Sequence, residues 1–245
     1  MQVTAVKTSK VHAKKISLEQ FLDVHITCLE EKSILVLSSK IVALAEGRFI
    51  KKDTALKESF IQKEADYYLP ASESRYGIPI TIKDNAFIAK AGIDSCNTDG
   101  VYSLLPKDSY ATCKKLRAYL CTRFALKEVG VIIVDSHSTP LRRGTLGVAI
   151  GWSGFQGIKA YENVPDIFGQ RLTTHANHVD ALAATAVLAM GEGNEQTPLV
   201  KIQDTPLITF SAKSPTKKEL SFLKPPIEDD LFAPILDMTK FTKRK

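Results

Sequence analysis

The chain has 245 residues, of which 44% are hydrophobic, and a net charge of +6. This size and composition indicate a globular protein with a substantial core, built as one domain or as two interlocked lobes. No stretch approaches the ~20 apolar residues of a membrane-spanning helix, and the basic start is too short and too charged for a signal-peptide core. We therefore expect a cytoplasmic protein with no membrane partner.

The basic residues cluster at the two ends, in the ranges 7–15 and 240–245. Aromatic residues do not interleave with them, and no nucleic-acid motif lies between, so we predict solvated ends and no nucleic-acid partner. Basic chains also bind small polyanions such as nucleotides. The four cysteines lack the spacing of a zinc site, which favours reduced thiols over a structural metal or disulfides.

Apolar runs and helical spacing predict a chain that mixes strands with helices. In chain order, we expect a helix over 17–30 with Ser17 and Gln20 close to a capping box, strands over 33–39 and 78–82, a helix over 109–125, a strand over 129–135, a helix over 176–193 that Gly191 closes, and a strand over 197–203. The Pro- and Lys-rich segment 211–226 is the weakest candidate for regular structure. The tail 228–238 is apolar enough to dock on the body.

The strand predicted over 129–135 delivers Asp135 and Ser136 to the carboxyl edge of a sheet, where α/β proteins place their sites. Judged on the strand alone, a turn-capping role for Asp135 is equally expected. Arg142 and Arg143 follow and suit bidentate binding of carboxylate or phosphate, and the glycines after them let backbone amides approach an anion. The pattern is neither a Walker P-loop nor a Rossmann fingerprint.

Two further loops carry oxygen-rich side chains. The segment 89–100 contains Asp94, Asn97 and Asp99, and the segment 189–198 contains Glu192, Asn194 and Glu195. Either loop alone is ordinary, because Asp and Asn favour turns for local reasons. Three such loops beside an Arg/Gly segment are more typical of a site for a nucleotide with a divalent cation.

Five motifs between about Val6 and Asp204 together resemble the coenzyme F-420:L-glutamate ligase family; in order they read SSKIVALAEGR, AGIDSCN, VIIVDSHSTPLRRGTLGVAIGWSGF, PDIFGQRL and AVLAMGEGNEQTP. The amino-acid sequences of these motifs are most similar to those of the folate-metabolism branch of that family. The resemblance implies an α+β fold of two interlocked α/β lobes with mixed sheets, in an intertwined homodimer. It divides the chain into a catalytic unit, 1–205, and a C-terminal extension, 206–245, that docks on the body.

The resemblance also implies a ligase that uses a nucleoside triphosphate and Mg²⁺ or Mn²⁺ to join L-glutamate through γ-linked amide bonds. Motif by motif, it assigns metal binding to four residues: Asp94, Asp135, Ser136 and Glu192. It assigns nucleotide binding to eight: Ser39, Lys40, Asn97, Met190, Gly191, Gly193, Asn194 and Glu195. Asp135 and Arg142 are the catalytic candidates, with Arg142 holding an acyl phosphate or the carboxylate of glutamate.

Two departures from the family pattern leave GTP and ATP both open. Leu44 stands where the family often has a nucleotide-contacting lysine, and the N-terminal LP motif is missing. No general base is identified, since His137 lies beside the predicted metal ligands but a lone histidine is more often structural. His175 and His178 lie at a helix start where capping is expected.

The acceptor is the least determined part of the function. Segments such as EADYYLP and YGIPITIKDN and the extended tail favour folate, and the F-420 precursor is the alternative. A catalytically silent nucleotide-binding protein of the same fold is a further alternative. The three separated acidic residues, Asp94, Asp135 and Glu192, favour an enzyme.

Overall fold

The computed structural model of the protein describes residues 1–12 and 17–244, so Lys14, Lys15 and Lys245 of the basic ends lie outside the described residues. The strands in this part of the chain are β1 Gln2–Val6, β2 Ser33–Ser38, β3 Phe49–Lys51, β4 Tyr67–Leu69, β5 Ile80–Lys83, β6 Ala86–Ala89, β7 Val101–Ser103, β8 Val129–Ser138, β9 Thr145–Ser153, β10 Ile158–Ala160, β11 His175–Asn177, β12 Leu199–Gln203 and β13 Thr242–Lys243. The α-helices are α1 Leu18–His25, α2 Ser39–Glu46, α3 Thr54–Glu64, α4 Ser109–Phe124, α5 His178–Met190 and α6 Lys217–Leu223.

A five-stranded sheet in the order β1-β12-β2-β8-β9 forms the centre of the molecule. Only β2 and β8 run parallel in it, and the other neighbours are antiparallel. One face packs against α1, α2 and α4, and the other packs against α5. Because both faces are covered, β2 and the first part of β8 are continuous apolar runs rather than alternating ones.

A smaller sheet in the order β13-β4-β5-β6 and the pair β3-β7 form a second part of the fold. A separate apolar cluster around Ile61, Ile93 and Tyr102 stabilises it. Strand β6 packs against β8, which brings this part beside the central sheet. The mixture of helices with several mixed sheets confirms the predicted α+β class.

The predicted elements are present, with shifted ends. Ser17 and Gln20 form the capping box of α1, but this helix ends at His25 instead of reaching residue 30. Gly191 closes α5 with a φ of 74°, as predicted. The predicted strand over 129–135 continues as β8 to Ser138, so Asp135 lies inside a strand and does not cap a turn. Strand β1, in the basic start, was not predicted.

The glycines after Arg143 do not form an anion-binding loop, which corrects the sequence prediction. They lie in or beside β9, which pairs with β8 as a hairpin. A Cβ atom at Gly147 would lie 2.3 Å from the carbonyl oxygen of Ala183, and one at Gly151 would lie 2.7 Å from Ser109. These glycines therefore allow α5 and α4 to approach the edge strand closely.

The C-terminal extension is more regular than predicted. Helix α6 lies inside the segment 211–226 and begins with a capping box between Thr216 and Glu219. Strand β13 pairs with β4, and the side chain of Asn85 donates hydrogen bonds to the carbonyl oxygens of Lys224 and Pro225. Backbone pairing and polar contacts therefore hold much of the extension against the rest of the chain.

The tail 228–238 differs from the prediction that its apolar residues dock on the body. Leu231, Phe232 and Ile235 are 85%, 60% and 77% exposed. In the described part of the chain, none of the helices combines the length and apolar character needed to cross a membrane.

We predict that replacing Gly147 with Ala lowers the free energy of unfolding by about 1–3 kcal/mol, because the added methyl group collides with the backbone of α5. Chemical denaturation monitored by circular dichroism measures the change. Leu188→Ala, on the exposed side of the same helix, is the control and should change stability by less than about 0.5 kcal/mol. Equal stability of Gly147→Ala and the parent would contradict the packing role.

Candidate active site

The first two residues of α2 bind two acidic side chains from different segments. Helix α2 begins directly after β2, the parallel neighbour of β8. The Ser39 hydroxyl donates a hydrogen bond of 2.6 Å to Oδ1 of Asp135 on β8. The Lys40 ammonium lies 2.7 Å from Oδ2 of Asp94 and 2.7 Å from the carbonyl oxygen of Cys96. The start of helix α2 thus joins the last part of β8 to the segment 94–96.

Asp94 is held as a carboxylate. Burial on its own would raise its pKa, but the Lys40 ammonium and the backbone N–H groups of Cys96 and Ser95 lower it below its ordinary value. Those two N–H groups donate to Oδ1 at 3.0 and 2.6 Å. The side chain therefore keeps its negative charge at neutral pH, which metal ligation requires.

The predicted site residues form a closed circuit of contacts. The Asn97 amide donates a 2.8 Å hydrogen bond to the carbonyl oxygen of Gly193, which joins the segment 94–97 to the loop after α5. In that loop, Glu192 accepts a 3.1 Å hydrogen bond from the hydroxyl of Thr145 on β9. Thr145 pairs with Ser138 of β8, the strand that carries Asp135, and this pairing closes the circuit.

The loop after α5 folds around a carboxylate of its own. Oε2 of Glu195 accepts a 2.8 Å hydrogen bond from the backbone N–H of Gly193. A Cβ atom at Gly191 would lie 2.4 Å from the carboxyl carbon of Glu195, so a side chain at that position would displace the carboxylate. The Lys7 ammonium lies 2.5 Å from the carbonyl oxygen of Glu195. The backbone of this loop is therefore already shaped to bind an anionic oxygen.

Other predicted residues lie apart from this circuit. The Met190 side chain is in the core between α5 and the central sheet. Ser136 leaves β8 on the face opposite to Asp135, because successive strand residues alternate. Asn194 is exposed, and Arg142 lies at the exposed tip of the β8-β9 hairpin, where its guanidinium donates to the carbonyl oxygen of Leu141.

His137 lies on the same face of β8 as Asp135 and is only 4% exposed. Its Nε2 atom is 3.2 Å from Oδ2 of Asp135, but the alignment is not that of a hydrogen bond. Within the described residues, this buried nitrogen has no hydrogen-bond partner. This differs from the expectation that His137 is a structural histidine whose ring nitrogens are hydrogen-bonded.

Two contributors to the site carried no signal in the sequence. Thr145 is placed beside Glu192 by the register of the β8-β9 hairpin, and Lys7 is placed beside Glu195 by the unpredicted strand β1. Leu44, where the family often has a lysine, is buried in α2. In residues 1–12 and 17–244, no three His, Cys, Asp or Glu side chains stand together as a metal-binding group, so the metal site stays a prediction.

Comparison with known proteins identifies the family. The model of the F420-0:gamma-glutamyl ligase family matches residues 11–204. A coenzyme F420:L-glutamate ligase from Methanococcus maripaludis is 34% identical over 220 residues, covering 83% of this chain and 86% of that protein. Ligases of the same name from Methanothermobacter thermautotrophicus and Methanocaldococcus jannaschii are each 30% identical, covering 73% and 71% of this chain and 77% and 76% of their own lengths.

These names overturn the expectation that the acceptor is folate, since they support the alternative, the F420 precursor. The sequence similarity of the short segments that favoured folate therefore predicted the acceptor wrongly. The ligase chemistry implied by the five motifs is confirmed by the match. This chain belongs to the F420-0:gamma-glutamyl ligase family, a family of amide-bond-forming enzymes.

Proposed function

We propose that this protein is a γ-glutamyl ligase that uses GTP or ATP and a divalent cation to join L-glutamate to the F420 precursor. The observation that carries the proposal is the circuit of contacts that gathers Asp135, Asp94, Asn97 and Glu192 from three separate segments. The relatives named coenzyme F420:L-glutamate ligase support the choice of acceptor and amino acid.

Amide formation needs an activated carboxyl group, because a carboxylate does not react with an amine. In the proposed reaction, a carboxylate oxygen of the acceptor attacks the γ-phosphorus of the nucleotide, and the nucleoside diphosphate leaves. The amino nitrogen of glutamate then attacks the acyl carbon, and inorganic phosphate leaves as the amine loses a proton. Both steps depend on positioning and on neutralising charge.

The residues of the circuit divide these tasks. Asp94, Asp135 and Glu192 would hold Mg²⁺ or Mn²⁺, which neutralises charge on the transferring phosphoryl group. The unsatisfied Nε2 atom of His137 beside Asp135 fits a site that needs a further partner there. Ser39 orients the Asp135 carboxylate through its 2.6 Å hydrogen bond.

The same helix start and the glycine loop are the candidate nucleotide-binding elements. Lys40 supplies a positive charge, and the backbone N–H of Gly193 supplies a donor that already binds a carboxylate oxygen. Arg142, on its exposed hairpin tip, is the candidate to bind the acyl phosphate or the carboxylate of glutamate.

The direct test is incubation of the purified protein with the F420 precursor, L-glutamate, GTP or ATP, and Mg²⁺ or Mn²⁺. We expect mass spectrometry to detect the precursor carrying added glutamyl units, with one inorganic phosphate released for each bond formed. Omission of the nucleotide is the control. Nucleotide binding without any glutamyl product, under every combination of metal and nucleotide, would favour the catalytically silent alternative.

Asp135→Asn should lower kcat by about two to four orders of magnitude, because it removes one charge from the set that neutralises the transferring phosphoryl group. The amide oxygen can still accept the hydrogen bond from Ser39, so the melting temperature should change little. Steady-state kinetics and the affinity for Mn²⁺, measured by electron paramagnetic resonance, give two independent readouts. Asp229→Asn, on the exposed extension, is the control. Undiminished turnover and Mn²⁺ affinity would remove Asp135 from the site.

We propose that the protein is a homodimer, as the family resemblance implies. In support, Ile167 and Phe168 are 92% and 82% exposed on the loop between β10 and β11. Neighbouring apolar side chains with this exposure are characteristic of a surface that another protein covers.

Light scattering at micromolar concentration should therefore report twice the chain mass. Replacing both Ile167 and Phe168 with Ser should shift the equilibrium toward monomer, because it removes apolar area from the contact. Val24→Ser, at a 64% exposed position on α1, is the control. A monomeric parent protein would contradict the proposal.

A further inference from the structure

A cleft separate from the candidate active site lies beside β9, the edge strand of the central sheet. It has a volume of about 590 Å³ and lies between the start of α4, the turn that joins β5 to β6, and helix α6. This volume falls within the range of about 300–1,000 Å³ typical of small-molecule sites. Among the described residues that line it, none belongs to the predicted metal or nucleotide set. We call it the Lys224 cleft.

Two polar groups in the wall of the Lys224 cleft have no hydrogen-bond or ion-pair partner in the part of the chain that the structure describes. The hydroxyl of Tyr110 is buried and makes no hydrogen bond with the described residues. The Lys224 ammonium lies 5.4 Å from the centre of the Tyr110 ring, and in the described part of the chain it forms no ion pair. Burial lowers the pKa of Lys224, although the charges of Asp84 and Asp180 act in the opposite direction. A half-buried ammonium and a buried hydroxyl, both able to donate, together suit an anionic oxygen.

The rest of the wall is mixed. Three carboxylates line it: Asp66, which pairs with Arg244, Asp108, which accepts a hydrogen bond from the backbone N–H of Ala111, and Asp84. Apolar side chains provide the other contacts. Leu105, Ile150 and Leu220 line the cleft from three different segments. Ile150 is the extra residue where β9 shifts register against β8, since Ile133 pairs with Gly151 and Val134 pairs with Ala149. A bulge of this kind redirects a side chain out of the regular alternation.

Helix α2 connects the Lys224 cleft with the candidate active site. Its first residues, Ser39 and Lys40, bind the two aspartates. At its last residue, Glu46 accepts a 3.1 Å hydrogen bond from the backbone N–H of Lys107, a residue that lines the cleft. The eight residues of α2 span about 12 Å, so the cleft wall lies roughly one short helix from the carboxylates.

We propose that the Lys224 cleft binds the part of the acceptor that is remote from its reacting carboxylate, an anionic group attached to an apolar body. Lys224 and the Tyr110 hydroxyl bind the anionic oxygen, and the apolar walls pack against the body. This inference rests on the proposed ligase function. Leu220, Ser221 and Lys224 come from the extension, so part of the subsite lies beyond the family match at 11–204.

The test uses the single tryptophan of the protein as the reporter. The Trp152 ring lies 5.4 Å from the Tyr110 ring, so a ligand bound at Tyr110 should change its fluorescence. The full-length protein is titrated with the F420 precursor in the absence of nucleotide. We expect saturable binding that weakens about tenfold or more in Lys224→Met and about threefold in Tyr110→Phe. Lys218→Met, on the exposed side of α6, should bind like the parent.

Steady-state kinetics then separates acceptor binding from a structural role. In Lys224→Met, we expect the KM for the acceptor to rise about tenfold, while kcat and the KM for L-glutamate stay within twofold of the parent. Unchanged acceptor affinity in both variants would overturn the proposal, and so would a loss of kcat at unchanged affinity. Circular dichroism checks folding, and if Lys224→Met fails to fold, Tyr110→Phe and Lys224→Gln carry the test.

The outcomes distinguish this inference from the proposed function. A parent protein that binds the acceptor through Lys224 but forms no glutamyl product supports the cleft and contradicts the ligase proposal. A parent that forms product while both variants behave normally contradicts the cleft alone. A parent that neither binds nor extends the acceptor overturns both.

Discussion

The pair of contacts made by Ser39 and Lys40 is the constraint on which the site depends. The hydroxyl of one residue and the ammonium of the next fix acidic side chains from β8 and from the segment after β6. Adjacent helix positions point in different directions, so a single helix start can hold two segments that do not pair with each other. This junction joins the segment beside the smaller sheet to the central sheet through one ion pair and one hydrogen bond.

The central sheet gives that junction a firm base. The parallel pairing of β2 with β8 places the start of α2 beside the end of β8, and helices cover both faces of the sheet. At the edge strand, Gly147 and Gly151 let α5 and α4 approach almost to backbone contact. Close packing resists small displacements, which suits a site whose groups must be held to within a fraction of an ångström.

Local signals in the sequence predicted much of the fold and part of the site. The capping residues Ser17 and Gly191 and the apolar runs predict helices and strands correctly, because caps and periodic patterns depend only on residues that are close in the sequence. The glycines of β9 were misinterpreted, because close packing on a helix and approach to an anion both require a missing Cβ. Thr145 could not be found, since its contact with Glu192 depends on hairpin register. The acceptor depends on side chains brought together only by the folded chain.

In the loop after α5, the backbone N–H of Gly193 is already hydrogen-bonded to the carboxylate of Glu195 from the same loop. Any external anion that uses this amide has to displace a competitor that is tethered two residues away and is therefore present at high effective concentration. The affinity of the loop for such an anion is its intrinsic affinity reduced by the free energy of that internal contact. A weak or singly bonded anion cannot meet this cost, so the loop discriminates in favour of ligands with several strong acceptor oxygens.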